Sequence, residues 1–319
     1  MLRLKAKQLC KVAVLISACV LQAELAAAQD TALTQSAIQA TRQADIVELQ
    51  VLLDRARHSP GVIDGVMGGN TRRAIDAYQK SSGMSPTGRI DAAMLQRLRQ
   101  SHNAPVFQEY LITKEDVNGP FSSVPSTMTG KAELDRVAFE DPAELLAEKF
   151  HMARSYLEKL NPGADFSKTG TKIKVVLPGG DEQLAKVQRI EVDKSANELR
   201  AYSPDGSLAA TYPTTVGSNI HPSPNETLEV LAVAPDPKYY FDPSGRTWGP
   251  DEQLTIAPGP NNPVGVVWID LSRDGYGIHG TPEPKLIGKT SSHGCVRLTN
   301  WDAHELSLAV DRGSTVQFR

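Results

Sequence analysis

The chain of 319 residues is short of cysteine, aromatic side chains, positive charge and long apolar runs. Its three cysteines are Cys10, Cys19 and Cys295, and the first two fall in the N-terminal 28 residues. If that segment is removed, Cys295 has no partner for an intramolecular disulfide, and a lone thiol in an exported protein calls for a reason. Net charge is −3 for the whole chain and becomes −6 without residues 1–28. That balance argues against nucleic acid or an anionic membrane as the main partner. Aromatics make up 6%, whereas 24 glycines and 21 prolines suit many turns and short strands. Beyond the N-terminus no stretch is apolar enough to span a bilayer, so no transmembrane segment is expected in the mature protein.

What is present at the start is an export signal. Arg3, Lys5, Lys7 and Lys11 precede the apolar run VAVLISACVL and then AELAAAQD, where Ala26 and Ala28 satisfy the small-residue rule for cleavage. Residues 1–28 therefore read as a signal peptide cut after Ala28, and the mature protein is expected in the periplasm or cell envelope. LISAC at 15–19 leaves open a lipoprotein signal in which Cys19 is acylated. An uncleaved anchor fits less well, because the apolar run is shorter than the roughly 20 residues needed to cross a bilayer.

Residues 46–57, IVELQVLLDRAR, carry apolar side chains at helical spacing, followed by the turn-rich SPGVIDGVMGGN. TRRAIDAYQKSSG predicts a second helix with Asn70 or Thr71 as N-cap and Gly83 as terminator, and Asp91 caps a third. The pattern of ELQ, IDG-x-x-G-x-x-T-x-x-A, Q-x-x-x-G and TG-x-x-D resembles the three-helix peptidoglycan-binding module, assigned to residues 42–100. The resemblance implies wall binding. Residues 101–142, with NGPFSSVPSTMTG, read as a linker. Residues 143–179 offer two helical stretches and an alternating strand; through Leu145, Ala147, Phe150, LNPG and GTKIKVVLP they resemble a LysM glycan-binding module without its first strand. A structural spacer is the other reading.

From about residue 186 short alternating runs dominate, with SPDGS as a hairpin turn and TLEVLAVA, LTIAP, VGVVWIDL and GSTVQF as further strands. This texture predicts a mainly antiparallel β sandwich or barrel over 186–319, within a multidomain α+β protein. One helix is expected at NWDAHELSLAV, capped by Asn300, and the Pro-rich stretch 234–263 is a candidate lid.

A thiol attacks as thiolate and needs a base or cation beside it. GYGIHG supplies His279 and SSHGC supplies His293; if SSHGC is extended, His293 and Cys295 share a face. A hairpin-like return between His279 and Cys295 would bring base and thiol together, and Gly280 and Gly294 leave room for a substrate carbonyl and spare N–H groups for an oxyanion. IHGTPEP followed by SSHGCVRL resembles the signature of the L,D-transpeptidase catalytic domain of YkuD type, and the likeness runs from about Lys186 to Arg319. It implies Cys295 as nucleophile, His279 as proton acceptor and donor, and Gly280 as the carbonyl that orients that histidine. Ser292, His293, Gly294 and Arg297 match the positions that shape the pocket and oxyanion site. SPNETLEV departs from the family by placing Asn225 and Glu226 where a glycine turn is usual.

The family reaction would cut a peptidoglycan tetrapeptide stem after its third, diamino-acid residue, release D-alanine, and pass the thioester-bound acyl group to an amine. Acceptors left open are a second stem, a protein lysine as in lipoprotein attachment, or water, which would make a carboxypeptidase. A hydrolase that cuts cross-links and a non-catalytic wall-binding protein are the alternatives. No cofactor is implied. A zinc site from His279, His293, Cys295 and His304 is the competing chemistry, although no H-x-x-x-H or C-x-x-C spacing supports it.

Overall fold

The computed structural model describes residues 42–179, 184–244 and 249–319. The signal-peptide reading, with Cys10, Cys19 and Ala28, lies outside the described residues. Two units divide the chain at Ile46, and of the first only residues 42–46 are described, all helical. Among the described residues no helix is long and apolar enough to cross a membrane.

Helix α1 runs through residues 42–55, α2 is Gly69–Ser81 and α3 is Ala92–Ser101. Leu49, Leu52 and Leu53 meet Ile75, Tyr78, Met94 and Leu98 in one buried cluster, the inward stripe that the spacing predicts. Two buried glutamines fix the turns between these helices. Gln50 Oε1 accepts from the N–H groups of Asp64 (3.1 Å) and Gly65 (2.8 Å), while Gln79 Oε1 accepts from Thr87 (2.8 Å) and Gly88 (3.0 Å). Asp91 caps α3 by accepting from Met94 N–H at 2.7 Å. The cap of α2 differs from expectation: the helix starts earlier, at an N-cap Gly68 without a side-chain bond, and Asn70 instead donates to Ile287 O at 3.0 Å.

The expected linker is structured. Within 101–142, strand β1 (Phe107–Leu111) pairs antiparallel with β2 (Lys172–Val176), and helices α4 (Lys114–Asn118) and α5 (Met128–Ala132) follow it. Ile112, just after β1, and Val137 are buried despite the polar composition of the stretch. Helices α6 (Pro142–Lys149) and α7 (Arg154–Leu160) complete this part. Leu146, Phe150, Leu157 and Ile173 share a core with Val47, Val51 and Ile63, so the stretches read as separate modules are packed together.

The C-terminal part holds an eight-stranded sheet in the order β11-β10-β9-β6-β12-β3-β4-β5. Its strands are β3 (Val187–Asp193), β4 (Glu198–Tyr202), β5 (Leu208–Pro213), β6 (Thr227–Pro235), β9 (Val267–Leu271), β10 (Gly277–His279), β11 (Val296–Arg297) and β12 (Val310–Phe318). Most pairings are antiparallel, as the alternation predicts, and β12 with β3 and β10 with β11 are parallel. Within 234–263, β7 (Tyr239–Phe241) pairs antiparallel with β8 (Leu254–Ile256) in a separate two-stranded sheet. Helix α8 (Asn300–Ser307) sends Ala303 and Leu306 into the core with Ile269, Ile278 and Val296. Its N-cap is Thr299, whose side chain accepts from Asp302 N–H at 3.1 Å, and not Asn300, which is drawn into a different task described below.

Candidate active site

The site follows from one register. Strands β10 and β11 pair in parallel with Ile278 opposite Val296 and His279 opposite Arg297, and Cys295 immediately precedes β11. Ile278 and Val296 are fully buried in the core. Alternation then puts His279 and Arg297 together on the opposite face, and Cys295, in the bend just ahead of β11, interacts electrostatically with Arg297. The parallel sense corrects the expected hairpin return: two parallel strands cannot be joined by a tight turn, so the chain crosses over through the short 3₁₀ segment Pro284–Leu286.

His279 is 4% exposed, and its Nδ1 lies 2.7 Å from Gly280 O. A carbonyl only accepts, so Nδ1 carries the proton and Nε2 keeps its lone pair. Burial, followed by the positive charge of Arg297, lowers the imidazole pKa to about 3, although the bond to Gly280 opposes this. At neutral pH the ring is an uncharged base. Trp268, opposite His279 on β9, stacks against it with ring centroids 5.5 Å apart. The indole also covers Gly277, where any side chain would collide with it, and its Nε1 donates to Asp270 Oδ1 at 3.1 Å.

Cys295 is half-buried, forms no disulfide, and directs its Sγ to Gly275 O at 3.5 Å. Burial lowers the Arg297 pKa, while Cys295, Tyr239 and Glu283 favour its charged form. Backbone bonds with Thr215 in both directions, 2.9 and 3.0 Å, hold Arg297 in place.

The SSHGC stretch is a turn, not a strand. Gly294 sits at φ +118°, a conformation that favours glycine, and a Cβ there would come within 2.9 Å of the Tyr276 ring. Ser292 Oγ accepts from Gly294 N–H at 3.1 Å and donates to Cys295 O at 2.6 Å. Ser223 Oγ donates to Gly294 O at 2.7 Å. The turn breaks the alternation expected for His293, which is exposed, with its ring 5.1 Å from that of His221. The two glycine N–H groups expected to be spare are engaged, Gly294 with Ser292 and Gly280 with Val267 O at 3.3 Å.

Trp268, Tyr276 and Ser223 are not singled out by the sequence, and Asn300 reads there only as a helix cap. Only Trp268 carries a signal there, through its alternate spacing with Asp270 in VGVVWIDL. Among the described residues no group of three or more His, Cys, Asp or Glu side chains could hold a metal ion. A cavity of about 710 Å³ lies elsewhere, walled by Asp54, His151, Tyr212, Trp301, Asp302 and His304 among others, and neither Cys295 nor His279 lines it. His304 is thus placed apart from the cysteine.

Residues 187–317 match the model of the YkuD L,D-transpeptidase catalytic domain, and residues 42–98 match that of a peptidoglycan binding domain. The chain is 31% identical to the YkuD protein of Bacillus licheniformis over 54% of this chain and 90% of that one. It is 30% identical to YbiS of Escherichia coli over 56% of this chain and 60% of that one. Among solved structures, an L,D-transpeptidase from Mycobacterium smegmatis aligns with a TM-score of 0.36 and 21% identity, covering 46% of this chain and 63% of that one. The sequence relatives carry the comparison.

Proposed function

The chain belongs to the YkuD-type L,D-transpeptidase family, and from that premise we propose that Cys295 is the nucleophile of a peptidoglycan L,D-transpeptidase. The β10–β11 register that sets His279 opposite Arg297, together with the interaction of Arg297 with both His279 and Cys295, carries this reading. His279 Nε2 takes the thiol proton as sulfur attacks the carbonyl carbon of the third, diamino-acid residue of a tetrapeptide stem. The C–N bond to D-alanine breaks, the departing amine takes the proton from His279, and a thioester to Cys295 remains. An acceptor amine then attacks the thioester carbonyl, loses its proton to His279, and expels the thiolate, which regains that proton. Arg297 supports the thiolate form by charge.

A second stem as acceptor gives a cross-link between two third residues; a protein lysine gives attachment of a protein to the wall. The peptidoglycan-binding domain raises the local concentration of a polymeric substrate without any contact at the thiol. An exported enzyme of the periplasm or envelope is part of the same reading. Incubation of the purified protein with muropeptide tetrapeptides, followed by mass analysis, tests it. Dimers with release of D-alanine are expected. Tripeptide monomers alone, at every acceptor concentration, would instead identify a carboxypeptidase.

A further inference from the structure

We propose that Asn300, anchored by Glu148, is a positioning residue that fixes the Gly280 carbonyl and through it the tautomer of His279. The inference rests on the cysteine mechanism above. Asn300 is 1% exposed and uses both ends of its amide. Its Nδ2 donates to Glu148 Oε1 at 2.9 Å and to Pro260 O at 3.2 Å, while Oδ1 accepts from Val266 N–H at 3.3 Å. Three bonds into three segments leave the amide plane no freedom to turn.

That plane lies against the backbone of the catalytic loop. A Cβ on either Gly265 or Gly280 would collide with Asn300 Oδ1, so the amide oxygen sits directly over both Cα atoms. Gly280 is the residue whose carbonyl accepts the hydrogen bond from His279 Nδ1–H. The chain leading into Asn300 is tied to the same strand, since Leu298 N–H donates to His279 O at 2.9 Å. If the amide tilts, Gly280 O moves from Nδ1, and the proton is free to sit on Nε2, where it blocks the base.

Glu148 stands on α6, outside both family-matched segments, 42–98 and 187–317. The accessory part of the chain thereby reaches the catalytic histidine through one side chain. Burial raises the Glu148 carboxyl to about 8, so at neutral pH it is largely uncharged and accepts as a neutral oxygen. Glutamine keeps that oxygen; alanine removes it.

The test uses the full chain and three variants, Asn300→Ala, Glu148→Ala and Glu148→Gln, with 15N NMR of the His279 ring and kinetics of D-alanine release from a disaccharide tetrapeptide. Wild type should show one tautomer, protonated at Nδ1. Asn300→Ala and Glu148→Ala should show a tautomer mixture and a kcat lowered about tenfold, with KM within about twofold. Glu148→Gln should match wild type in both. A single unchanged tautomer in both alanine variants overturns the proposal. If Asn300→Ala does not fold, the Glu148→Ala and Glu148→Gln pair decides. The ring signal is readable without turnover: if the wild type releases no D-alanine while the alanine variants still show the tautomer mixture, the reaction is refuted and the positioning role stands.

Discussion

Replacing Arg297 by methionine should move the two groups that interact with it in opposite directions. His279 has its pKa lowered from 6.5 to about 3 by burial first and Arg297 second. That depression corresponds to roughly 5 kcal/mol against the imidazolium. In the proposed mechanism the imidazole is therefore uncharged near neutral pH and takes the thiol proton as sulfur attacks. Removing the cation raises the His279 midpoint above about 3, but burial remains and keeps it below 6.5. The thiolate of Cys295 loses a cation that favours it. At an effective dielectric of about 20, unit charges in near contact at about 4 Å interact by about 4 kcal/mol, an upper bound for Cys295 with Arg297. Cys295 and Arg297 are both partly exposed, so solvent reduces this to about 1.4 kcal/mol, a tenfold change.

Iodoacetamide alkylation of Cys295 measures the thiolate, and NMR titration of the His279 ring measures the base. In Arg297→Met the alkylation rate at pH 7 should fall about tenfold while the imidazole becomes easier to protonate. In wild type the rate should fall steadily with pH below neutrality. A plateau down to about pH 4 would mean that an imidazolium already holds the thiolate, and the neutral-base reading would be wrong.

Other consequences follow from the same contacts. Cys295→Ala should abolish D-alanine release and dimer formation while the protein still sediments with purified sacculi; surviving turnover would remove the cysteine from the mechanism. Gln50→Ala strips the Asp64 and Gly65 N–H groups of their acceptor and should cost about 1–3 kcal/mol, read as a lower thermal midpoint with weaker sacculus retention. Glu148 has a folded pKa raised from 4.5 to about 8, so its contribution is complete below 4.5 and is lost as pH rises through 8. Glu148→Gln should therefore flatten the decline of thermal stability between about pH 5 and 9 relative to wild type, and identical slopes would contradict the burial of that carboxyl.

The parts of the fold that were legible in the sequence are those governed by short periods and by glycine. The amphipathic spacing around Leu49, Ile75 and Leu98 marks a helical core, and Asp91 marks its cap. The alternation in VGVVWIDL fixes which residues of β9 face the core. Strand β1 was not legible, because its pairing partner β2 lies more than sixty residues away and its own composition reads as a linker. Nor was the parallel sense of β10 and β11, since pairing direction depends on the route of the crossover and not on side-chain period. His293 misled for a related reason: one glycine at φ +118° resets the alternation that would have aimed it beside the thiol.

The same distinction separates what a catalytic motif encodes from what it needs. IHG and SSHGC specify a thiol, a base and a turn, all within reach of strand geometry. The orientation of the base depends on a carbonyl, and the carbonyl lies beneath an amide held by a carboxyl from α6. No local pattern announces Glu148, whose helix carries Lys149 and Glu144 as ordinary polar neighbours. What distinguishes it is burial: an acid driven to about 8 is tolerated beside the catalytic domain only where a donor such as the Asn300 amide meets it. A family pattern can therefore be complete in sequence while the tautomer it relies on is set from outside its bounds.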